Sequence, residues 1–211
     1  MKIVIPYREN SQRCKSKNTR EFFNGKSLLQ LTMDHLIGED VYLACIPSDE
    51  AVARAKHFGT KRVDLSEMTA TGTSSDLVMD IGQKIDPGPV GFVFCTNPVY
   101  FLFNDFQGHL STIKKVVTTG GSAMVVYPFK HYVLDEKMQA INHGQGHWHR
   151  YSQHLPQWYI NPWFFIATTT SNIAKFGYWH TPDVVPVHAK GPCVDIDTED
   201  DFLVAQKLYS I

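Results

Sequence analysis

The sequence predicts an α/β domain of three layers, αβα, in which helices cover both faces of a mostly parallel sheet. Short apolar runs alternate with stretches of helical periodicity through the first two thirds of the chain, the pattern of parallel strands joined by crossover helices. The first run, Lys2–Pro6, discharges straight into a polar, basic loop, and open sheets of this kind bind ligands at the carboxyl ends of their strands.

Each element has its own signal. Strands are expected at Lys2–Pro6, Val41–Ile46, Val90–Phe94 and Ala123–Pro128. Between them, Leu28–Leu36 sets Leu28, Leu31 and Leu36 at helical spacing, and Ala51–Phe58 follows Ser48-Asp49-Glu50, a strong N-cap run. Ser75-Asp76 opens a third helix through Ile81 and Ile85, and Asn104-Asp105 a fourth through Leu110 and Ile113. The period stops after Pro128. Residues 129–160 are rich in His, Gln, Gly and aromatics, and so long an irregular insert in a compact domain is expected to be functional or an interface arm. An aromatic strand at Trp163–Ala167, a short helix at Ser171–Phe176 and a strand at Val184–Val187 follow, and Thr198 and the acids after it open the last helix.

The chain has 211 residues, enough for one sizeable core, so residues 1–211 read as a single domain. A net charge of -1 argues against a nucleic-acid binder and makes the basic loop a local feature. The sequence contains no apolar run long enough to span a bilayer and no secretory signal pattern, and its four cysteines are scattered without a CxxC pair. A cytoplasmic protein with reduced thiols and no membrane partner is expected.

Two constellations carry chemistry. The loop Arg8-Glu9-Asn10-Ser11-Gln12-Arg13-Cys14-Lys15-Ser16-Lys17-Asn18 packs four cations, two serines and two asparagines into eleven residues. Arginine offers planar paired hydrogen bonds to phosphate oxygens, lysine a point charge, and serine or backbone N–H groups the remainder. The plain alternative is a solvated basic loop. In Asp195-Ile196-Asp197 an extended backbone turns both carboxylates to one face, where they suit Mg²⁺, a cation that takes one or two carboxylates plus substrate phosphates. The same acids cap the last helix, and the two roles are compatible: Thr198 and the later acids cap it while Asp195 and Asp197 stay available. His143, His147 and His149 have a spacing that a metal tolerates but lack accompanying Cys or carboxylate ligands, and exposed loop histidines are the better reading.

In order along the chain, Ile5-Pro6-Tyr7-Arg8 with Ser11 and Lys17-Asn18, Phe23-Asn24-Gly25-Lys26, Ser48-Asp49-Glu50 with Ala55-Lys56, Thr73-Ser74-Ser75, Leu155-Pro156-Gln157 with Asn161, and Val194-Asp195-Ile196-Asp197-Thr198 resemble the motifs of the acylneuraminate cytidylyltransferases, the CMP-sialic acid synthetases. The resemblance implies a Rossmann-like fold of the nucleotide-diphospho-sugar transferase type, with 129–160 as an inserted dimerisation arm and a homodimer as the assembly. It implies transfer of CMP from CTP to an acidic 2-keto sugar, sialic acid-like or related, with release of pyrophosphate and Mg²⁺ as cofactor. Arg8, Ser11, Arg13, Lys17, Asn18, Ser74 and Ser75 would then bind the nucleotide, and Lys17, Asp195 and Asp197 would act in catalysis, the two aspartates holding the metal. The acceptor would meet Thr96, Asn97, Lys137, Arg150, Gln157 and Asn161.

Departures from the family pattern fall on the acceptor side. Its Gln-Pro-Thr-Ser segment reads Phe94-Cys95-Thr96-Asn97 here, and a phenyl ring cannot replace an amide's hydrogen bonds. Its Arg-Pro is Asp64-Leu65, its paired arginines are Tyr151-Ser152 beside Arg150, and the lysine after the signature serine is Gln12, with Arg13 next to it. A different acid sugar, its carboxylate taken by Arg150, His149 or Lys137, is the simplest reading. The alternatives are a nucleotide-binding homologue with lost or altered acceptor chemistry, and a metal-dependent nucleotide-sugar glycosyltransferase. A dinucleotide oxidoreductase is disfavoured, since the first loop contains no glycine.

Overall fold

The computed structural model describes residues 1–9, 11, 13–144, 146 and 151–210. In chain order the elements are β1 (Lys2–Pro6), β2 (Glu21–Phe23), β3 (Lys26–Ser27), α1 (Leu28–His35), β4 (Asp40–Cys45), α2 (Asp49–Phe58), β5 (Lys61–Asp64), α3 (Ser74–Lys84), β6 (Pro89–Val93), α4 (Tyr100–Phe103), α5 (Phe106–Thr118), β7 (Ala123–Phe129), β8 (Trp158–Ile160), β9 (Phe165–Thr169), α6 (Thr170–Phe176), β10 (Val185–His188) and α7 (Glu199–Tyr209).

Among the described residues the main sheet has eight strands, in the order β10-β7-β9-β6-β1-β4-β5, with β8 paired to β7. Pairs β1–β4, β1–β6, β4–β5 and β7–β10 are parallel. The strand β9 runs antiparallel between β6 and β7. That reversal follows from the arm, which carries the chain back against β7 as β8 before β9 enters the sheet.

Alternation along β1 divides the core. Ile3 and Ile5 face a layer of Leu28, Leu31, Leu110, Ile113 and Phe202 from α1, α5 and α7, while Val4 faces Val78, Ile81 and Ile173 from α3 and α6. The helices start where side chains satisfy their first N–H groups: Ser48 accepts from the Ala51 N–H, and Thr73 with Asp76 and Thr198 with Asp201 form reciprocal capping boxes.

Strand β9 starts at Phe165, two residues after the expected Trp163. Asn161 Oδ1 accepts from the Trp163 N–H at 2.9 Å, and Trp163 takes φ 48°, so a side-chain-closed turn occupies the place where the ladder would have begun. The hairpin β2–β3 turns on Asn24-Gly25, both at positive φ, the standard sequence for a two-residue hairpin loop. The edge strand β5 buries only Val63 among charged neighbours, which hides it from a search for apolar runs and also guards the edge.

The sheet and α5 layer are packed tightly at Gly91, where an added Cβ would lie 2.8 Å from the Phe165 ring and 3.1 Å from the Met1 methyl group. Gly91→Ala is therefore expected to cost about 1–3 kcal/mol, read as a lower urea midpoint at unchanged slope.

Candidate active site

The strand β1 hands over to the basic loop through the Tyr7 N–H, which donates to the Ala44 carbonyl at 2.8 Å. The loop then holds itself by side chains. Asn18 is buried; its Nδ2 donates to the Arg8 carbonyl at 3.2 Å, its Oδ1 accepts from Cys95 Sγ at 3.4 Å, and its carbonyl accepts from the Leu29 N–H at 3.1 Å. Ser11 Oγ donates to the Cys14 carbonyl at 2.5 Å and accepts from the Lys17 N–H at 3.2 Å. Both residues thus shape the loop from within, which leaves the cations to face the cleft.

Opposite stands the start of α7. Asp201 Oδ2 accepts from the backbone N–H groups of Thr198 at 2.8 Å and of Asp197 at 3.1 Å, so the helix cap also fixes the residue preceding it. The Lys17 ammonium donates to the Ile196 carbonyl and lies 3.2 Å from Asp197 Oδ1, and an Arg13 guanidinium nitrogen lies 2.9 Å from the same oxygen. Side-chain exposure separates the two cations, 13% for Lys17 and 71% for Arg13. The Lys17 contact is the structural one; the Arg13 pair is a surface ion pair of small net worth and free to exchange. A turn further on, Arg20 grips Glu199 with two nitrogens, at 3.0 and 2.6 Å, and its guanidinium lies 3.8 Å from the centre of the Phe202 ring.

Asp195 and Asp197 flank Ile196, which is fully buried, so both carboxylates turn away from the core. Asp195 Oδ1 accepts from Thr96 Oγ1 at 2.6 Å. Burial raises its proton affinity above the ordinary carboxylate range; the Thr96 hydrogen bond opposes this and the Asp197 charge adds to it. Asn97, which the motifs place against an acceptor, has no exposed surface: its Nδ2 donates to the Pro162 carbonyl at 3.0 Å and its Oδ1 accepts from the Val194 N–H at 3.1 Å. That corrects its role. Both ends of its amide are occupied, and it clamps the turn before Trp163 to the segment that carries Asp195.

Between the loop and the ends of β4 and β5 lies a cleft of ≈ 970 Å³, near the upper end of the usual range for small-molecule sites. Arg8, Ser11, Arg13, Lys17, Asn18 and Asp197 line it, together with Glu9, Ser48, Ile46, Leu65, Thr69 and Leu77. The sequence reading had not singled out Glu9, Thr69 or Leu77; Glu9 was visible as an acid inside a basic loop.

Ser74 and Ser75 open α3 outside the cleft lining, and Ser74 Oγ accepts from Trp179 Nε1 at 2.5 Å. Lys137 sits in an exposed turn closed by Asp135, Gln157 Nε2 donates to the Trp158 carbonyl, and Asn161 holds the Trp163 turn; none of the three lines the cleft. Arg150, with His147 and His149, lies outside the described residues. Phe94 packs edge-on to Trp163, with ring centres 5.8 Å apart, and to Trp179 at 5.5 Å, so an aromatic wall stands one pleat from Thr96. The four cysteines are unpaired, and burial pushes the thiols of Cys45 up to about 11 and of Cys95 and Cys193 up to about 12, which leaves them poor nucleophiles. Among the described residues no cluster of three or more His, Cys, Asp or Glu side chains could hold a metal, and no helix is long and apolar enough to cross a membrane. The oxygen-only pair Asp195/Asp197 still suits a hard cation completed by a ligand's own oxygens.

This arrangement sits in a known fold, that of the cytidylyltransferases and other nucleotide-diphospho-sugar transferase-like proteins. No family model matches the sequence, and no curated protein matches it either. Solved structures do. A CMP:2-keto-3-deoxy-manno-octonic acid synthetase complexed with CTP aligns at TM-score 0.66 and 13% identity, over 99% of this chain and 97% of that one. The 4-diphosphocytidyl-2C-methyl-D-erythritol synthase of Anaerococcus prevotii aligns at 0.65 and 14%, over 100% and 96%. A molybdopterin-guanine dinucleotide biosynthesis protein A from Archaeoglobus fulgidus aligns at 0.59 and 11%, over 100% and 99%.

The half-buried Asp195 makes a prediction with a definite sign. Its raised folded-state proton affinity means that its ionisation opposes folding above the folded pKa and ceases to matter below the unfolded one. Asp195→Asn, which keeps an acceptor for Thr96, is expected to raise the urea midpoint at pH 7. The gain should shrink toward zero as the pH falls through the ordinary carboxylate range.

Proposed function

We propose that the chain is a nucleotidyltransferase that transfers CMP from CTP to an acidic 2-keto sugar of the sialic acid or related class and releases pyrophosphate. The observation that carries this reading is the cleft at the carboxyl ends of a parallel sheet, which Arg8, Arg13 and Lys17 from the first strand's loop all line and where Arg13 and Lys17 converge on Asp197. Phosphoryl-type displacement asks mainly for positioning and charge neutralisation, and this loop offers both. Motif order along the chain and a fold shared with cytidylyltransferases support it further.

In this reading the polyphosphate lies along the loop. Lys17, anchored at the Ile196 carbonyl, keeps a charge beside the phosphates, and Arg13 leaves Asp197 for a phosphate oxygen. Asp195 and Asp197 would hold Mg²⁺, which neutralises charge on the phosphates when bound. An acceptor hydroxyl then bonds to the α-phosphorus as the bond to the β-phosphate oxygen breaks. The hydroxyl loses its proton and pyrophosphate departs.

The aromatic wall of Phe94 and Trp163 favours an acceptor pocket altered from that of the resembled family, one that meets a ring face where an amide would have met polar groups. The arm supports a homodimer: Leu134, Met138, Ile141 and Tyr151 are exposed on one irregular segment, and apolar and aromatic side chains of this kind anchor interfaces. Unpaired cysteines are compatible with a cytoplasmic setting.

Incubation with labelled CTP, Mg²⁺ and a panel of 2-keto sugar acids tests the chemistry. Pyrophosphate release is expected only when a sugar is present, and Asp195→Ala should lower it by about 100-fold or more. Sugar-dependent release that survives Asp195→Ala unchanged would sink the mechanism, and release from a preformed nucleotide-sugar would point to glycosyl transfer. Sedimentation at micromolar concentration is expected to give a dimer; a strict monomer would remove the arm's assigned role.

A further inference from the structure

Two carboxylates line the cleft, and they stand in different company. Asp197 is matched by Lys17 and Arg13 at the α7 end. Glu9 forms no ion pair among the described residues, and its one hydrogen bond is accepted by Oε1 from the Ser48 hydroxyl. The direction of that bond is fixed by the helix cap. Ser48 Oγ already accepts from the Ala51 N–H at 3.0 Å, so its own proton points away from α2 and toward Glu9. The cap therefore holds the carboxylate in place and leaves its second oxygen as an acceptor.

The surroundings say what that oxygen would meet. On the β4 and β5 side of the loop the lining turns apolar, with Ile46, Leu65 and Leu77, walls suited to the faces of a flat ring. Phosphates are repelled by Glu9 and drawn to Lys17 and Arg13 at the other end. An ionised carboxylate only accepts hydrogen bonds, so the ring edge it favours carries an N–H donor, while a carbonyl at the same place meets like polarity and leaves both groups unsatisfied.

We infer that Glu9, oriented by Ser48, is the specificity residue that selects a pyrimidine with an exocyclic amine, cytosine, over uracil. The inference rests on the proposed nucleotide site and adds to it the residue that reads the base. The shared fold does not supply this choice, since it also belongs to a protein of guanine dinucleotide biosynthesis.

The test measures affinity of the full chain for CTP and UTP with Mg²⁺ by titration calorimetry, in the unaltered protein and in Glu9→Gln, whose amide can donate as well as accept. Glu9→Ala serves as a second variant, and thermal melts check that both remain folded. The unaltered protein is expected to favour CTP over UTP by about tenfold or more, and Glu9→Gln to bring the ratio to within about threefold, chiefly through weaker CTP and stronger UTP binding. A CTP/UTP ratio unchanged by both variants overturns the inference. Equal weakening of CTP and UTP also overturns it, because it places Glu9 on ribose or phosphate. An unaltered protein that binds both nucleotides equally rejects the inference and leaves the nucleotide site standing. If it binds neither, the proposed function itself fails.

Discussion

The contact between the Lys17 ammonium and the Ile196–Asp197 segment joins two pieces of chain 180 residues apart and holds the cleft in shape. A cationic loop after the first strand would otherwise repel itself, and acids at a helix start would otherwise face water. Each neutralises the other, and Arg20 with Glu199 repeats the arrangement one turn along. Because Lys17 is mostly buried, its pair is screened less than the Arg13 pair that shares the same oxygen. A fixed cation and an exchangeable one therefore stand side by side on the same carboxylate oxygen.

A second constraint acts on the other side of the sheet. Asn97 ties the Pro162 carbonyl to the Val194 N–H from a fully buried position, so the turn that presents Trp163 and the segment that presents Asp195 move as one. Asn161 sets the same turn by accepting from the Trp163 N–H. Polar residues that look like ligand contacts in a motif thus act here as the frame of an aromatic wall. The frame also explains why β9 begins late and why β8 and β9, though both antiparallel to β7, do not form one continuous strand.

Much of the fold was legible because its signals are local. Apolar runs at β1, β4, β6 and β7 and the caps Ser48, Asp105 and Thr198 lie where the sequence marks them, since a helix cap and a buried parallel strand are decided within a few residues. The hairpin at Asn24-Gly25 carried a signal that a search for apolar runs passes over. The strand β5 carried almost none, because an edge strand with one buried side chain gains its place from β4 alone.

The site divides along the same line. By itself the sequence determined that a basic loop follows the first strand and that two carboxylates at i and i+2 share one face before the last helix, because period-two alternation and capping chemistry act at short range. Only the tertiary structure decided which polar groups remain available. Asn18 is consumed by the Arg8 carbonyl and the Cys95 thiol, Asn97 by backbone partners far along the chain, Ser74 by Trp179, and Glu9 is held by Ser48 from another strand's end. A side chain's hydrogen-bonding capacity is fixed by its chemistry, but its remaining capacity depends on what the packed chain brings within 3 Å or so of it, and no local pattern contains that information.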